Sequence, residues 1–477
     1  MGQISRVLDP VPLRSLDEHI DNGGGKALEA ARASEPVAVI EVVEASGLRG
    51  RGGAGFPTGT KWRTVAGMGG AAPATVVVNA AEGEPGTLKD RTLLRRNPYK
   101  VLEGALIAAH AIAADRIVIG MKASAGSERQ RVEAAIGEIR AAGWTEGIDI
   151  SVSAGSDRYL LGEETALLEV IAGRAPFPRV APPYRHGAEE VGDDVTAPAS
   201  TDMVDSEGTT GAPATLVNNV ETLANIPAIV LEGPDAFRAL GTAESPGTMI
   251  CTVTGRTERA GVGEFELGTP LREVIATLGG QPLGREIVGV LSGTANPILP
   301  GSALDVPLTW EDLTAAGGGL GSAGFIVLDD EVDIVAVAHG VSRYLAVESC
   351  GQCTPCKQDG LALADALDRL RSSTPEADDL AVIPELTARV TDGARCYLAQ
   401  QHQLVVESLL EHFGDAMTAH AERRADAAEP YPILPLLDIV DDQAVLDESE
   451  LDLAPDWGTG ADSGAAPAAR IDVRAQS

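Results

Sequence analysis

The chain has 477 residues, enough for two to four domains with sizeable cores, and its 44% hydrophobic content is that of an ordinary globular protein. A formal net charge of −33 argues against nucleic acid as a partner, because phosphate contacts need a basic surface. No apolar run reaches the roughly 20 residues that span a bilayer, and MGQISRVLDP lacks the basic and apolar regions of a signal peptide, so a cytoplasmic protein is expected.

In chain order, PVAVIEVVEA (36–45) reads as helix and runs into the glycine-rich SGLRGRGGAGFPTGTKW (46–62). Absent side chains let backbone N–H groups approach a phosphate there, with Arg49, Arg51 and Lys61 to balance its charge. Gly50, Gly52 and Gly55 spell G-x-G-x-x-G, yet the preceding segment is helical where the dinucleotide fingerprint needs a strand. A P-loop fails too: Thr60 separates Gly59 from Lys61, and Trp62 stands where a Ser or Thr would hold magnesium.

Strands at 75–80 (TVVVNA), 116–120 (RIVIG) and 148–154 (IDISVSA) alternate with helices near 98–114, 125–142 and 162–173. That alternation predicts a parallel α/β sheet, whose ligands collect at the carboxyl ends of strands, near Asn79 and Glu82. Glu84, Glu163 and Glu164 would line the same crevice, GEET also reading as an acidic helix cap. The chain has six lysines, two of them, Lys61 and Lys89, in these loops, which marks a local demand for compact ammonium groups.

The segment 187–211 holds seven acids and no base, and 426–477 holds twelve acids against Arg470 and Arg474. Both are rich in Ala, Gly, Pro and Ser and read as solvated insertion and disordered tail. From 247 to 330 short strands and a helix (PLREVIATLGG) predict a small mixed sheet. From 331 to about 413 apolar stripes (Ile334, Val337, Ala338, Val341, Leu345; then Leu363, Leu367, Leu370) predict four helices packed as a bundle. Between the first two lie Cys350, Cys353 and Cys356 at C-x2-C-x2-C spacing, and Cys396 follows at the start of the last helix. Three thiolates plus a remote fourth suit an iron–sulfur cubane; four thiolates also suit zinc, whose sites more often come as two separated pairs. Cys251 reads as a buried thiol without a role.

GLRGRGGAGFPTGTKW, EPGTLKDR, YLLGEETALLE, NNVETLANIP and ESCGQCTPC with the distant Cys396 occur in the order seen in the flavoprotein subunit of respiratory complex I and its relatives in hydrogenases and formate dehydrogenases, which the chain resembles over residues 20–415. The resemblance implies a Rossmann-like α/β FMN-binding domain (1–240), a small β-grasp, SLBB-type domain (247–330) and a four-helix [4Fe–4S] domain (331–420). By position, Gly50, Gly52, Gly53, Gly55, Lys61, Asn79, Glu82, Gly162, Glu163, Glu164, Asn218 and Asn219 would surround FMN, while Phe56, Glu84 and Tyr184 would face NAD(H). Cys350, Cys353, Cys356 and Cys396 would ligate the cluster.

Three departures fall on the dinucleotide side: Ala81 replaces an acid, Thr64 an aromatic and Ala181 a lysine, with Arg179 or Arg185 as a substitute cation. The implied activity is NADH:acceptor oxidoreduction. Hydride passes to FMN and single electrons go on to the cluster, Glu82 and Glu164 orienting the nicotinamide or tuning the flavin. A [2Fe–2S] thioredoxin-like subunit or a ferredoxin is the implied partner, in the cytoplasm or peripheral on a membrane complex. The competing readings are a ferredoxin-linked subunit that does not use NADH, and a non-catalytic zinc-stabilised binding module.

Overall fold

The computed structural model describes residues 2–68, 73–179 and 214–455. They fall into two compact units, Met1–Glu82 with Lys89–Ile250 and Gly263–Gly268, and Gly83–Leu88 with Cys251–Val262 and Thr269–Ser477. The expectations placed on Ala181, Tyr184, Arg185, the 187–211 insertion and the tail from 456 lie outside the described residues.

The first unit opens with β1 (Gln3–Ile4), α1 (Leu16–Asp21), α2 (Lys26–Arg32), α3 (Pro36–Ser46) and α4 (Thr58–Gly67). Next come β2 (Ala74–Ala80), α5 (Lys89–Arg96), α6 (Pro98–Ala111), β3 (Ala114–Lys122), α7 (Gly126–Ala141), β4 (Asp149–Gly155) and α8 (Glu164–Ile171). It continues through β5 (Thr215–Asn219), α9 (Val220–Glu232) and α10 (Pro234–Arg238).

Four of these strands form a wholly parallel sheet in the order β4-β3-β2-β5. Val76, Val77 and Val78 are all buried, as a strand covered on both faces requires. The register sets Asn79 of β2 beside Asn219 of β5, so both asparagines sit at the carboxyl edge of the sheet.

The sequence reading missed β5 and α5. Helix α5, KDRTLLRR, buries Lys89, Asp90 and Arg91, so an apolar periodicity cannot reveal it.

Strands β6 (Thr248–Gly255) and β7 (Gly261–Glu266) contribute to both units. In the second unit residues 252–255 of β6 pair in parallel with β10 (Gly324–Asp329), and β10 pairs antiparallel with β8 (Ile287–Ser292), itself antiparallel to β9 (Leu299–Pro300). Helices α11 (Leu271–Gly279) and α12 (Trp310–Ala315) interleave with these strands along the chain. Helices α13 (Ile334–Glu348), α14 (Thr354–Arg371), α15 (Asp379–Arg389) and α16 (Leu398–Ala421) follow; α13 packs on α14 and α16, and α15 on α14 and α16. Both expected apolar stripes are buried in that packing.

The expectation of disorder from 426 onward is corrected up to residue 455. β11 (Leu436–Val440) and β12 (Gln443–Leu446) form an antiparallel hairpin. Its two-residue turn, Asp441–Asp442, has φ of 50° and 63°, the left-handed pair that a type I′ turn needs and that aspartate tolerates. Ile433, Leu434 and Leu436 are buried at its leading end, while Val440, Val445 and Leu446 stay exposed. Among the described residues no helix is long and apolar enough to cross a membrane.

Candidate flavin cradle and cysteine cluster

The glycine loop is closed at its neck by a bridge between Arg49 and Pro57. Gly50 N–H donates to Phe56 O at 2.8 Å, and Arg49 Nε to Gly55 O at 2.9 Å. Gly53 and Gly55 lie at φ 127° and 63°, conformations an L side chain resists. Arg51 N–H is taken by Thr222 Oγ1 (2.8 Å), which leaves the N–H groups of the open Gly52–Ala54 stretch as the loop's donors for an anion. Phe56 stands 54% exposed beside them, a flat apolar face turned to solvent.

The expected cationic role does not hold for Arg51. Arg51 is fully buried, its guanidinium donating to the carbonyls of Arg49 (3.0 Å) and Pro246 (3.3 Å), and burial brings its pKa down to about 10. Lys61, one turn into α4, is the accessible cation, and it pairs with Glu164 Oε1 at 2.5 Å. Arg179 is likewise committed, bound to Glu169 on α8.

The asparagines act as struts. Asn79 Nδ2 donates to Gly162 O (2.8 Å), tying β2 to the turn before α8. Asn218 Oδ1 receives the indole N–H of the buried Trp62 (2.8 Å). Asn219 caps α9, its Oδ1 accepting Glu221 N–H (3.0 Å). A Cβ on Gly162 would come within 3.1 Å of Ala81 O, and one on Gly52 within 3.2 Å of Asn219 Cβ, so glycine is what lets these backbones approach. These glycine contacts and loop donors fit a phosphate-bearing flavin at the strand ends.

Glu163 and Glu164 divide their roles. Glu163 caps α8, accepting from Ala166 N–H (2.8 Å) and Thr165 Oγ1 (2.6 Å), and burial raises its pKa. Ala81 is buried among Val77, Val118, Leu161 and Leu167, so the acid expected there has become part of the core. Thr64, exposed on α4, returns its hydroxyl to Thr60 O at 2.9 Å. Glu84 belongs to the second unit, where its Oε1 accepts the N–H (2.5 Å) and hydroxyl (3.1 Å) of Thr294.

Glu82 sits across the first turn of α5. Its two oxygens accept Asp90 N–H (2.9 Å) and Arg91 N–H (3.1 Å). Burial, then the Asp90 charge, pushes its pKa up to about 7, against the pull of Lys89 and the two N–H groups. The unfolded carboxyl ionises near pH 4.3, so between that and about 7 the unfolded chain has shed a proton the folded one keeps. The stability this group contributes is complete at low pH and is lost as pH rises through 7, by at most about 4 kcal/mol. Glu82→Gln should remove that slope. In urea unfolding at pH 5 and 8 the wild type should lose stability relative to the variant; parallel behaviour would refute the assignment.

The cysteines occupy the second unit. Cys350 lies in the loop after α13, Cys353 is the residue before α14, and Cys356 is buried in its first turn. Ser349 Oγ is 3.3 Å from Cys356 Sγ, and Gln352 Nε2 donates to Cys350 Sγ at 3.4 Å. The segment leading to Cys396 reaches the same loop: Arg395 Nη1 donates to Gln352 Oε1 (3.3 Å), and its backbone N–H to Cys353. Burial pushes the Cys356 thiol up to about 12, with Cys350 and Cys353 adding to the rise against the Ser349 bond. Such crowded thiols become thiolates only beside a cation, so the donor set fits an iron–sulfur group. Among the described residues no three His, Cys, Asp or Glu side chains are grouped to hold one metal ion. A cubane instead takes one thiolate at each of four irons. Cys251 is buried in β6.

Comparison with known proteins gives the same two regions. Residues 43–228 match the family described as "Nuo51 FMN-binding domain", and residues 336–420 match the "NADH-ubiquinone oxidoreductase-F iron-sulfur binding region". The second F-type chain of NADH-quinone oxidoreductase from Rhizobium meliloti is 34% identical over 438 residues, covering 88% of this chain and 99% of that protein. "NADP-reducing hydrogenase subunit HndC" of Solidesulfovibrio fructosivorans is 34% identical over 425 residues, covering 87% and 82%. Among solved structures, an NAD+-reducing [NiFe]-hydrogenase in the H2-reduced state aligns with TM-score 0.73 and 31% identity, over 89% of this chain and 68% of that one.

Proposed function

Because this chain belongs to the F-type family of NADH-quinone oxidoreductase components, we propose that it is the NADH-oxidising electron-transfer subunit of a larger complex, holding FMN and a [4Fe–4S] cluster. Bound there, FMN supplies the exchange of a hydride for single electrons, and the cluster supplies a one-electron carrier. The chain's own contribution is to bind and orient. The N–H groups of Gly52, Gly53 and Ala54 grip the flavin phosphate, with Gly55 turning the loop and Lys61 as the neighbouring cation. Asn79, Asn218 and Asn219 fix the strand ends that shape the cradle, and Gly50, Gly162 and Glu163 keep its walls close. Glu82 and Glu164 orient the nicotinamide, and Phe56 offers it an aromatic face. Cys350, Cys353, Cys356 and Cys396 take the irons.

The observation that carries this reading is the open glycine loop at the carboxyl ends of β2 and β5, followed by Cys350, Cys353 and Cys356 at the start of α14, with Arg395, next to Cys396, bonded to the same loop. Stopped-flow mixing of anaerobically purified protein with NADH should bleach the flavin's visible band. No bleaching with NADH or NADPH would reject the donor assignment.

The finer architecture we propose is a Rossmann-like domain over 1–240, a β-grasp domain of SLBB type over 247–330 and a four-helix bundle over 331–420. Support comes from the parallel sheet, the mixed pairing of β6, β10 and β8, and the mutual packing of α13–α16. The electron acceptor is a [2Fe–2S] thioredoxin-like subunit or a ferredoxin, and Tyr397, 57% exposed directly after Cys396, marks a surface it could use. A peripheral place on a membrane complex accords with that.

Ala81, buried where the family carries an acid, favours one second reading, a ferredoxin-linked subunit without direct NADH use. Calorimetric titration with NADH separates the two. Ser349 supplies a further expectation. With Cys356 iron-bound, its hydroxyl must be the donor, and a hydrogen bond to sulfur favours the reduced cluster. Ser349→Ala should therefore lower the cluster's midpoint potential in an EPR-monitored titration; an unchanged potential would rule the bond out as a tuning contact.

A further inference from the structure

Lys89 stood out in the sequence as one of only six lysines, yet nothing in the proposed electron transfer employs it. Its ammonium is 1% exposed and meets three acceptors: Asp90 Oδ1 at 2.7 Å, Glu221 Oε2 at 3.0 Å and Asn219 Oδ1 at 3.1 Å. Asp90 and Asn219 accept hydrogen bonds from it, and Glu221 Oε2 faces it as an ion pair. The knot closes on itself, because Asn219 Nδ2 donates to Asp90 Oδ2 at 2.6 Å and Glu221 Oε1 accepts Ile250 N–H at 2.8 Å. Asp90, Glu221 and Glu82 together hold the Lys89 charge in place although burial opposes it.

Asn219 and Glu221 are the cap and second residue of α9, and that same turn is what touches the glycine loop. Asn219 Cβ lies 3.2 Å from where a Gly52 Cβ would stand, and Thr222 Oγ1 accepts Arg51 N–H at 2.8 Å. We propose that Lys89 is a positioning residue for the flavin's phosphate loop: through Asn219 and Glu221 it locks the first turn of α9 against Gly52 and so sets the loop's N–H donors in the orientation that grips the phosphate. A compact point charge with three diverging donors does this where a planar guanidinium would not. The inference rests on the FMN-binding reading and deepens it.

The test must separate positioning from charge neutralisation. Lys89→Met alone strands two acids in the interior and risks misfolding. The double variant Lys89→Met/Glu221→Gln removes one charge of each sign, so the local net charge is that of the wild type, and the introduced amide oxygen can still accept Ile250 N–H. The full-length chain, depleted of FMN, is titrated with FMN by fluorescence quenching, and amide hydrogen exchange is followed across residues 50–56. Positioning predicts that the double variant unfolds near the wild-type temperature, binds FMN at least tenfold more weakly and exchanges the loop amides faster. Wild-type affinity in a folded double variant would overturn the proposal. Should the double variant not fold, Thr222→Val cuts the turn's other hold on the loop with little change in volume; it must weaken FMN binding in the same direction, and wild-type affinity there overturns the proposal equally. A wild-type chain that binds no FMN would instead remove the premise.

Discussion

Replacing Cys356 by serine is expected to leave NADH-driven bleaching of the flavin intact while one-electron delivery to an acceptor collapses and the purified protein loses iron. Of the four cysteines this one is placed to show the largest effect. It is buried in the first turn of α14, where the backbone is fixed by an 18-residue helix and cannot offer a substitute ligand. Its thiol, pushed up to about 12 by burial, would become a ligand only by iron displacing the proton. A serine hydroxyl in the same enclosure is harder still to deprotonate. Loss of a supporting contact costs a metal site roughly 10–100-fold; loss of a ligand itself should exceed that. The steady-state rate with a one-electron acceptor such as ferricyanide, set beside the rate of flavin bleaching, separates the two half-reactions. A Cys356→Ser protein that keeps its iron and its acceptor rate would show that the thiol is not a ligand.

The split between what the residues announced and what they concealed follows physical lines. Runs such as TVVVNA and RIVIG are buried on both sides and declare themselves by apolar content alone. The cysteines are equally plain, since thiols at a three-residue step have few other uses. Helix α5 was hidden because what it buries is charge: Lys89, Asp90 and Arg91 pay for their burial with partners on distant segments, and pairing across the fold leaves no local pattern. Arg51 was misjudged for the same reason. Between Gly50 and Gly52 it reads as a phosphate cation, but a carbonyl nearly 200 residues away turns it inward. The hairpin at 436–446 was lost to acid counting, although Asp441–Asp442 between two apolar runs is a turn signal in its own right. The loop, the asparagines, Glu82 and Lys89 all stood out as residues in the sequence. What did not show there were their contacts, Glu82 across the first turn of α5 and Lys89 against the first turn of α9.

That clamp depends in turn on how α9 is seated, and Gly104→Ala should unseat it. Helix α6 packs closely along α9, and at Gly104 the approach is so tight that a Cβ would stand 2.0 Å from Leu223 O. The obstacle is backbone, not a side chain that can swing aside, so the whole of α6 or α9 must retreat. Overpacking of this kind costs about 3 kcal/mol, at the upper end of what one added methyl usually does. Ala is the better helix former by about 1 kcal/mol, which offsets only part of that. The consequence reaches the site because Leu223 directly follows Glu221 and Thr222 and lies one turn past Asn219. A shift of α9 moves the cap, the Lys89 partner and the acceptor of Arg51 N–H together. Thermal unfolding should fall by several degrees, and FMN affinity should weaken beyond what lower stability alone explains, because the folded fraction at 25 °C stays near one. A Gly104→Ala chain with wild-type melting and wild-type flavin binding would mean that the two helices tolerate the extra carbon, and that the seat of α9 does not govern the cradle.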